Sequence, residues 1–179
     1  MLHKYFIAIV PPEPLLGSIH DLKQRNFEIY NTKGALRSPG HITLHMPFTW
    51  EEEKENKLVD VLKAFKFHQE IQITLSNFDC FEPRVLFINV SQNELLNQFQ
   101  KELVSYCKSK LQLFNQADDR RGFHPHITIA FRDLKKPTFY KMWNDYQNVS
   151  FEANFTCGTI CLLKQLNNRW EVYKEMDFL

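Results

Sequence analysis

The sequence predicts an α+β protein whose two halves form two lobes of one domain over residues 1–179. Each half contains a histidine-bearing strand close to two helical patterns, and each half ends in stretches typical of antiparallel strands. A chain of 179 residues falls within the size range of a single domain. No linker rich in Gly, Ser or Pro separates the halves, so we expect them to share one core.

The first elements are a strand, a helix and a second strand. The apolar run at 4–10 predicts a buried strand that ends at Pro11, because proline cannot donate a ladder hydrogen bond. Pro14 begins a helical pattern that extends towards Tyr30. A polar loop then leads to a strand that begins at His41.

The middle of the chain predicts a helix and two strands. Thr49 and Glu52 have the spacing of a capping box and predict the start of the second helix. Residues 70–78 alternate between apolar and polar, whereas both faces of 84–91 are apolar. The second of these strands is therefore predicted to lie in the middle of a sheet.

The second half repeats the same kinds of element. Ser91 and Glu94 again have capping-box spacing before a helical pattern, and a polar loop leads to the His126 strand. Pro137 begins a short helix. The remainder predicts two or three antiparallel strands, with a hairpin that turns at Asn167–Asn168.

Composition excludes several classes of protein. The net charge is +1 with no block of Lys or Arg, which argues against a large nucleic-acid footprint, so a nucleic-acid substrate would be short or gripped locally. The apolar run Tyr5–Val10 is too short for a signal peptide or a membrane span. The four cysteines form no CxxC pair, and Cys157 and Cys161 favour small core residues over metal ligands. We expect a cytoplasmic protein with reduced thiols.

A doubled motif carries the functional information. "HITL" at 41–44 and "HITI" at 126–129 both have the form His-apolar-Thr-apolar, for which composition predicts roughly 0.06 chance matches in the chain. On a strand, His41 and Thr43 point to one side while Ile42 points to the other. Each motif is thus expected to present one imidazole and one hydroxyl side by side.

Two such pairs across a cleft suit phosphodiester chemistry. One imidazole can take a proton from an attacking water while the other gives a proton to the leaving oxygen. Threonine hydroxyls can donate hydrogen bonds to the non-bridging phosphate oxygens. This chemistry requires no metal.

With these motifs the chain resembles the two-histidine phosphoesterases, specifically the LigT-like group of RNA 2′,3′-cyclic phosphodiesterases and 2′-5′ RNA ligases. The separation of the motifs, the strand "KYFIAIVPP" and the antiparallel tail also fit, so the resemblance covers nearly the whole chain. It implies a two-lobed, pseudo-twofold symmetric α+β fold, with largely antiparallel sheets, flanking helices and a central cleft. It also implies metal-independent opening of a 2′,3′-cyclic phosphate, or cleavage and joining of a 2′-5′ diester, without a cofactor.

Carried over residue by residue, the resemblance makes His41 and His126 the acid–base pair and makes Thr43 and Thr128 the phosphate-binding residues. Either histidine can be the base. The substrate would be an RNA end or a small cyclic-phosphate nucleotide, and neither a membrane nor an obligate protein partner is indicated. The natural substrate, the physiological direction and the oligomeric state stay open.

The motifs are flanked by further candidates. Relatives in this group often place a basic residue after the second motif, where this chain has Phe131, with Arg132 one place later. The loop arginines that could substitute are Arg37, Arg120 and Arg121, although a solvated loop position is the favoured interpretation for each. His45 and His124 are candidates for supporting positions near the cleft.

Two other functions remain open. His41 with His45, and His124 with His126, place two pairs of imidazoles on strand faces, and such pairs can chelate zinc in a metal-dependent hydrolase. Against this, neither motif contains Asp or Glu. The other alternative is an RNA- or nucleotide-binding module on the same fold without turnover. Chelator treatment distinguishes the metal-dependent hydrolase from the two-histidine mechanism, and a turnover assay distinguishes the binding module from both enzymes.

Overall fold

A computed structural model describes residues 1–115 and 122–179. Within these residues the chain forms eight strands and four α-helices. The strands are β1 (Leu2–Ile9), β2 (Ile42–Glu51), β3 (Ile71–Phe81), β4 (Val85–Val90), β5 (His126–Ala130), β6 (Glu152–Cys157), β7 (Thr159–Leu166) and β8 (Arg169–Asp177). The helices are α1 (Leu15–Tyr30), α2 (Glu55–Lys63), α3 (Glu94–Leu111) and α4 (Lys136–Tyr146), and short 3₁₀ helices cover Gly34–Arg37 and Glu52–Lys54.

The eight strands form one sheet in which every neighbouring pair is antiparallel. The strand order is β6-β3-β4-β5-β2-β1-β7-β8, so the two motif strands lie at the centre. Each motif strand has one neighbour, one further strand and one edge strand on its outer side, which gives the sheet its pseudo-twofold arrangement. β2 and β5 are joined in register through Ile42 and Ile127. The predicted α+β class with largely antiparallel strands is confirmed.

The helices lie over the sheet halves in an exchanged pattern. α1 follows β1 in the chain but packs against β5, and α3 follows β4 but packs against β2. α2 contacts β8 and α3, while α4 contacts β4. Each half of the sheet is therefore covered by a helix whose preceding strand belongs to the other half, and this ties the halves together.

Several local predictions are confirmed, and two are wrong. β4 lies inside the sheet, and the hairpin between β7 and β8 turns at Asn167–Asn168, both with positive φ. Thr49 does not cap a helix, because it lies within β2. Asn93, not Ser91, caps α3: its side chain accepts a hydrogen bond from the amide of Leu96 at 3.0 Å.

A buried polar network holds α2 on the sheet. The carboxylate of Glu55, the first residue of α2, accepts hydrogen bonds from the ammonium of Lys164 on β7 and the hydroxyl of Tyr5 on β1. Its second oxygen accepts a bond of 2.8 Å from the hydroxyl of Tyr173 on β8. Burial alone would raise the pKa of Glu55, but these donors lower it below its usual value. The network therefore links one helix to three strands.

Cys157 and Cys161 lie in different apolar clusters. Cys157 belongs to the main core, whereas Cys161 packs with Phe6, Ala8 and Leu163 in a separate small cluster, so the two thiols do not share one apolar environment.

In the described part of the chain, no helix is long and apolar enough to cross a membrane.

Candidate active site

The register of β2 and β5 brings the two motifs together. Ile42 lies opposite Ile127, and both side chains are buried in the main core. In an antiparallel pair with this register, His41 falls opposite Thr128 and Thr43 falls opposite His126. These four residues alternate with the buried isoleucines and are all partly exposed. The sheet therefore presents two imidazoles and two hydroxyls on one face, related by the pseudo-twofold axis.

Both histidine rings are held in the same way. The Nδ1 of His41 lies 2.8 Å from the carbonyl oxygen of Pro39, and the Nδ1 of His126 lies 2.7 Å from that of His124. Because a carbonyl oxygen only accepts, each Nδ1 carries a proton in these bonds. In a neutral ring the lone pair is then on Nε2. The backbone two residues upstream thus fixes the tautomer that proton transfer through Nε2 requires.

Aromatic rings form the walls beside both histidines. The ring centroid of Phe6 on β1 lies 4.8 Å from that of His41, and the centroid of Phe87 on β4 lies 4.7 Å from that of His126. Trp170 on β8 packs edge-on against Phe6 at 4.7 Å. These apolar walls exclude water and lower the local dielectric constant around the imidazoles, which strengthens electrostatic interactions with a bound anion.

The electrostatics of the site keep His41 neutral. Burial lowers the pKa of His41 to about 4, against a raising effect of the hydrogen bond with Pro39. The charges of Lys23 and His126 lower it further. His41 is therefore uncharged at neutral pH and able to accept a proton on Nε2.

Lys23 is a functional candidate that sequence analysis missed. It lies on α1 with 2% exposure, and its ammonium donates a 3.1 Å hydrogen bond to the carbonyl of Ser38. Burial lowers the pKa of Lys23 to about 8. Since Ser38 immediately precedes Pro39, the lysine holds the backbone that in turn holds His41. Its place on the buried stripe of α1, between Ile19 and Asn26, is the signal that could have identified it.

We expect the Lys23→Met variant to shift the acidic limb of the pH–kcat/KM profile to higher pH. Removing the nearby positive charge raises the pKa of His41, so protonation of His41 begins at a higher pH than in the wild type. NMR titration of the His41 ring checks the same shift without turnover. The matched control is Lys101→Met, an exposed lysine on α3. An unchanged limb in Lys23→Met would contradict an electrostatic role.

A carboxylate ties the loop before His41 to the strand that carries His126. Asp133, which follows β5, accepts hydrogen bonds of 2.8 Å from the Thr32 hydroxyl, 2.8 Å from the Lys33 amide and 3.1 Å from the Gly34 amide. Burial alone would raise the pKa of Asp133, but these donors lower it. A Cβ at Gly34 would lie 2.4 Å from the Phe131 carbonyl oxygen, so this close approach requires glycine.

The two supporting histidines have different positions. His124 lies beside the site, with its ring centroid 5.9 Å from that of His126 and its carbonyl bonded to the same ring. His45 does not face the site: it is 1% exposed, its Nδ1 lies 2.9 Å from the Met46 carbonyl, and its ring packs on Phe48. The prediction that it shares a face with His41 is wrong.

A β-bulge explains the position of His45. Consecutive residues Ile7 and Ala8 of β1 pair with His45 and Thr43, so Leu44 is an extra residue in β2. The regular alternation of sides is lost at this point, and both Leu44 and His45 are buried. Burial lowers the pKa of His45. The pair His41 and His45 therefore does not form the strand-face chelate considered for zinc.

The arginines that flank the motifs lie in different places, and two of them fall outside the described residues. Arg37 lines a groove next to the loop that precedes His41. Arg120 and Arg121 lie outside the described residues. Arg132 has a positive φ and places its guanidinium 5.0 Å from the centroid of the Phe131 ring. Among residues 1–115 and 122–179, no group of three or more His, Cys, Asp or Glu side chains is arranged to hold a metal ion.

Comparison with known proteins agrees with this architecture. The sequence-family model of the 2′-5′ RNA ligase superfamily matches residues 11–169 of this sequence. The chain belongs to the 2′-5′ RNA ligase superfamily. It is 30% identical over 177 residues to a Geobacillus kaustophilus protein named "Putative phosphoesterase", covering 96% of this chain and 94% of that protein.

Solved structures share the fold of this superfamily member. The structure of E. coli LigT complexed with 3′-AMP is similar with a TM-score of 0.65 and 18% identity, covering 99% of each chain. The structure of TT0787 from Thermus thermophilus is similar with a TM-score of 0.62 and 14% identity, covering 98% of this chain and 97% of the other. The expected LigT-like fold is thereby confirmed.

Proposed function

We propose that this superfamily member is a metal-independent phosphodiesterase that opens 2′,3′-cyclic phosphates by two-histidine acid–base catalysis. The observation that carries the proposal is the register of Ile42 with Ile127, which aligns His41 with Thr128 and Thr43 with His126 on one face. Membership of the 2′-5′ RNA ligase superfamily and similarity to a protein named as a phosphoesterase support it.

In the proposed mechanism His41 acts as the base. Its low pKa leaves Nε2 unprotonated at neutral pH, so it takes a proton from the attacking water as the water oxygen bonds to phosphorus. The bond between phosphorus and one ribose oxygen breaks, and His126, which enters this step protonated on both ring nitrogens, gives its Nε2 proton to that oxygen. The product is a nucleoside monophosphate with a free neighbouring hydroxyl. By microscopic reversibility the roles of the histidines exchange in the joining direction.

The threonines hold the phosphorus in line. Thr43 and Thr128 lie on opposite strands next to the opposing histidines, so their hydroxyls can donate to the two non-bridging oxygens. The symmetric placement stabilises the charge that develops on both oxygens in the transition state. The nucleotide character of the substrate is supported by the fold of E. coli LigT, whose solved complexes include 3′-AMP, NADP+, ATP and phosphate.

The first test is hydrolysis of nucleoside 2′,3′-cyclic monophosphates in excess EDTA. We expect full turnover in EDTA and no gain from added Zn²⁺. Turnover restored only by zinc would favour the histidine-based metal hydrolase, and binding without turnover would favour a non-catalytic nucleotide-binding module. Either outcome would overturn the proposal.

The threonine variants test phosphate binding separately from proton transfer. We expect Thr43→Val and Thr128→Val each to lower kcat/KM by about 10- to 100-fold, because each removes one hydroxyl donor to a charged oxygen. The pH profile should keep its shape, since both histidines are intact. Thr43→Ser and Thr128→Ser retain the hydroxyl and serve as controls. A Val variant with wild-type kcat/KM would remove that threonine from the site.

A further inference from the structure

Both motif strands carry a β-bulge at the same motif position. In β2 the extra residue is Leu44. In β5, Thr128 and Ala130 pair with two consecutive residues of β4, so Ile129 is the extra residue there. Leu44 and Ile129 are each the fourth residue of their motif and directly follow its threonine. The pseudo-twofold arrangement of the sheet therefore extends to the irregularity in each motif strand.

The two bulges end the site face at the two threonines. Both residues that follow Thr43 are buried, and so are both residues that follow Thr128. In a regular strand, one residue of each such pair would point to the site face. Thr43 and Thr128 are thus the last outward-facing side chains before each bulge. The position of each hydroxyl therefore depends on how the backbone of the bulge is held.

A buried amide side chain donates to the backbone of each bulge. Gln100 on α3 donates a hydrogen bond of 3.1 Å to the carbonyl of Leu44, and its exposure is 8%. Asn26 on α1 donates a hydrogen bond of 3.3 Å to the carbonyl of Ile129, and its exposure is 0%. A bulge disrupts the ladder at its extra residue, and a buried carbonyl there requires another donor. Each helix supplies that donor at the equivalent position.

The two amides also follow the exchanged packing of the helices. α1 follows β1 in the chain and reaches the bulge of β5, whereas α3 follows β4 and reaches the bulge of β2. The amide of Asn26 is itself oriented, because its Oδ1 accepts a hydrogen bond of 2.6 Å from the hydroxyl of Tyr146 on α4. This bond leaves the Nδ2 of Asn26 directed at Ile129. Two buried amides at one motif position in both halves indicate a shared role.

We propose that Gln100 and Asn26 are positioning residues, one for each motif. Gln100 holds the bulge that fixes the hydroxyl of Thr43, and Asn26 holds the bulge that fixes the hydroxyl of Thr128. Neither amide touches the substrate. This inference rests on the proposed function, because it deepens the phosphate-binding role of the threonines. A displacement of about 1 Å caused by a change away from the reacting atoms can cost about 100-fold in rate.

The kinetic test combines each amide variant with each threonine variant. Gln100→Met and Asn26→Leu remove the donor and keep a side chain of similar volume. We expect each to lower kcat/KM for a nucleoside 2′,3′-cyclic monophosphate about tenfold. The double variants then show which threonine each amide acts through.

The expected pattern is specific to the motif. Gln100→Met combined with Thr43→Val should be little worse than Thr43→Val alone, because the hydroxyl that Gln100 positions is already absent. Gln100→Met combined with Thr128→Val should show the product of the two single losses. Asn26→Leu should show the reverse, coupled to Thr128→Val and independent of Thr43→Val. An amide with a merely structural role would not distinguish the two threonines.

Two hydroxyl variants control for the loss of a buried hydrogen bond. Tyr106 on α3 donates a bond of 3.0 Å to the carbonyl of Val61 on α2, in neither motif strand. Tyr106→Phe should lower the urea midpoint of unfolding and leave kcat/KM unchanged. Tyr146→Phe removes only the hydroxyl that orients Asn26, so its smaller loss of kcat/KM should also couple to Thr128→Val. This milder variant carries the test if Asn26→Leu does not fold.

Binding of inorganic phosphate, measured by calorimetry, separates this inference from the proposed function. We expect Gln100→Met and Asn26→Leu each to weaken phosphate binding about fivefold, with the same pattern of coupling to the threonines. If wild type binds phosphate without turnover, the catalytic proposal fails and the affinities still test the amides. Unchanged affinity and kcat/KM in both amide variants, or equal coupling to both threonines, would overturn the positioning role. Wild type that neither binds phosphate nor turns over substrate would overturn both proposals.

Discussion

Replacing either His41 or His126 by alanine is expected to lower kcat/KM for 2′,3′-cyclic phosphate hydrolysis by about 10²- to 10⁴-fold. Each substitution removes one of the two proton transfers while leaving the threonine hydroxyls and the opposite histidine in place. The double variant should be little worse than either single variant, because residues that act as a unit have strongly non-additive effects. Initial rates over a range of substrate concentrations measure this.

The pH profile distinguishes the two histidines. In the wild type, protonation of His41 removes the base, so kcat/KM should fall as the pH drops through about 4. His41→Ala should lose this acidic limb. His126→Ala should keep the acidic limb and lose the alkaline limb, which arises when the general acid loses its proton. The opposite pattern would reverse the assignment of base and acid.

A matched histidine variant controls for general effects of substitution. His68 lies on the exposed surface after α2 with a positive φ, which asparagine tolerates, so His68→Asn should retain wild-type kcat/KM. Full activity in His41→Ala or His126→Ala would contradict the two-histidine mechanism regardless of the control.

The central strands of the fold were predictable because their sequence signals are local. The alternation of polar and apolar residues within each motif predicts a strand, and the doubled His-x-Thr pattern indicates that the two strands act together. The register of Ile42 with Ile127 was not predictable in this way, because it joins residues far apart in the chain through a sheet order that depends on tertiary packing. The pairing therefore had to be observed before the four side chains could be placed on one face.

The incorrect predictions concern residues whose local sequence pattern does not determine their position. His45 was placed by regular alternation, and the extra residue Leu44 breaks that alternation without a glycine or proline to mark it. Lys23 was missed because a lysine within a helical pattern is usually a solvated residue, whereas here its ammonium is buried on the Ser38 carbonyl. Both residues are ones whose position is decided by contacts between elements.

The largest expected effect on stability follows from Glu55→Gln. The change removes the close carboxylate partner of the Lys164 ammonium, whose side chain is only 8% exposed, and leaves it with the carboxylate of Glu52 at 4.0 Å. Breaking one partner of a buried ion pair typically costs about 3–5 kcal/mol in the free energy of unfolding, a large part of the total for a single domain. Urea denaturation followed by tryptophan fluorescence measures the loss. A difference below about 1 kcal/mol would show that solvent or local rearrangement compensates the charge.

A second substitution in the same network tests the cause of that loss. Adding Lys164→Met to Glu55→Gln removes the buried charge that has lost its close partner, so the double variant should recover much of the stability that Glu55→Gln loses. The effect also depends on pH. Because the folded pKa of Glu55 is lowered, its contribution is complete above the unfolded pKa of about 4.3 and disappears as the pH falls through the folded value. The stability gap between wild type and Glu55→Gln should therefore narrow in acid, whereas a gap caused only by altered packing would stay constant.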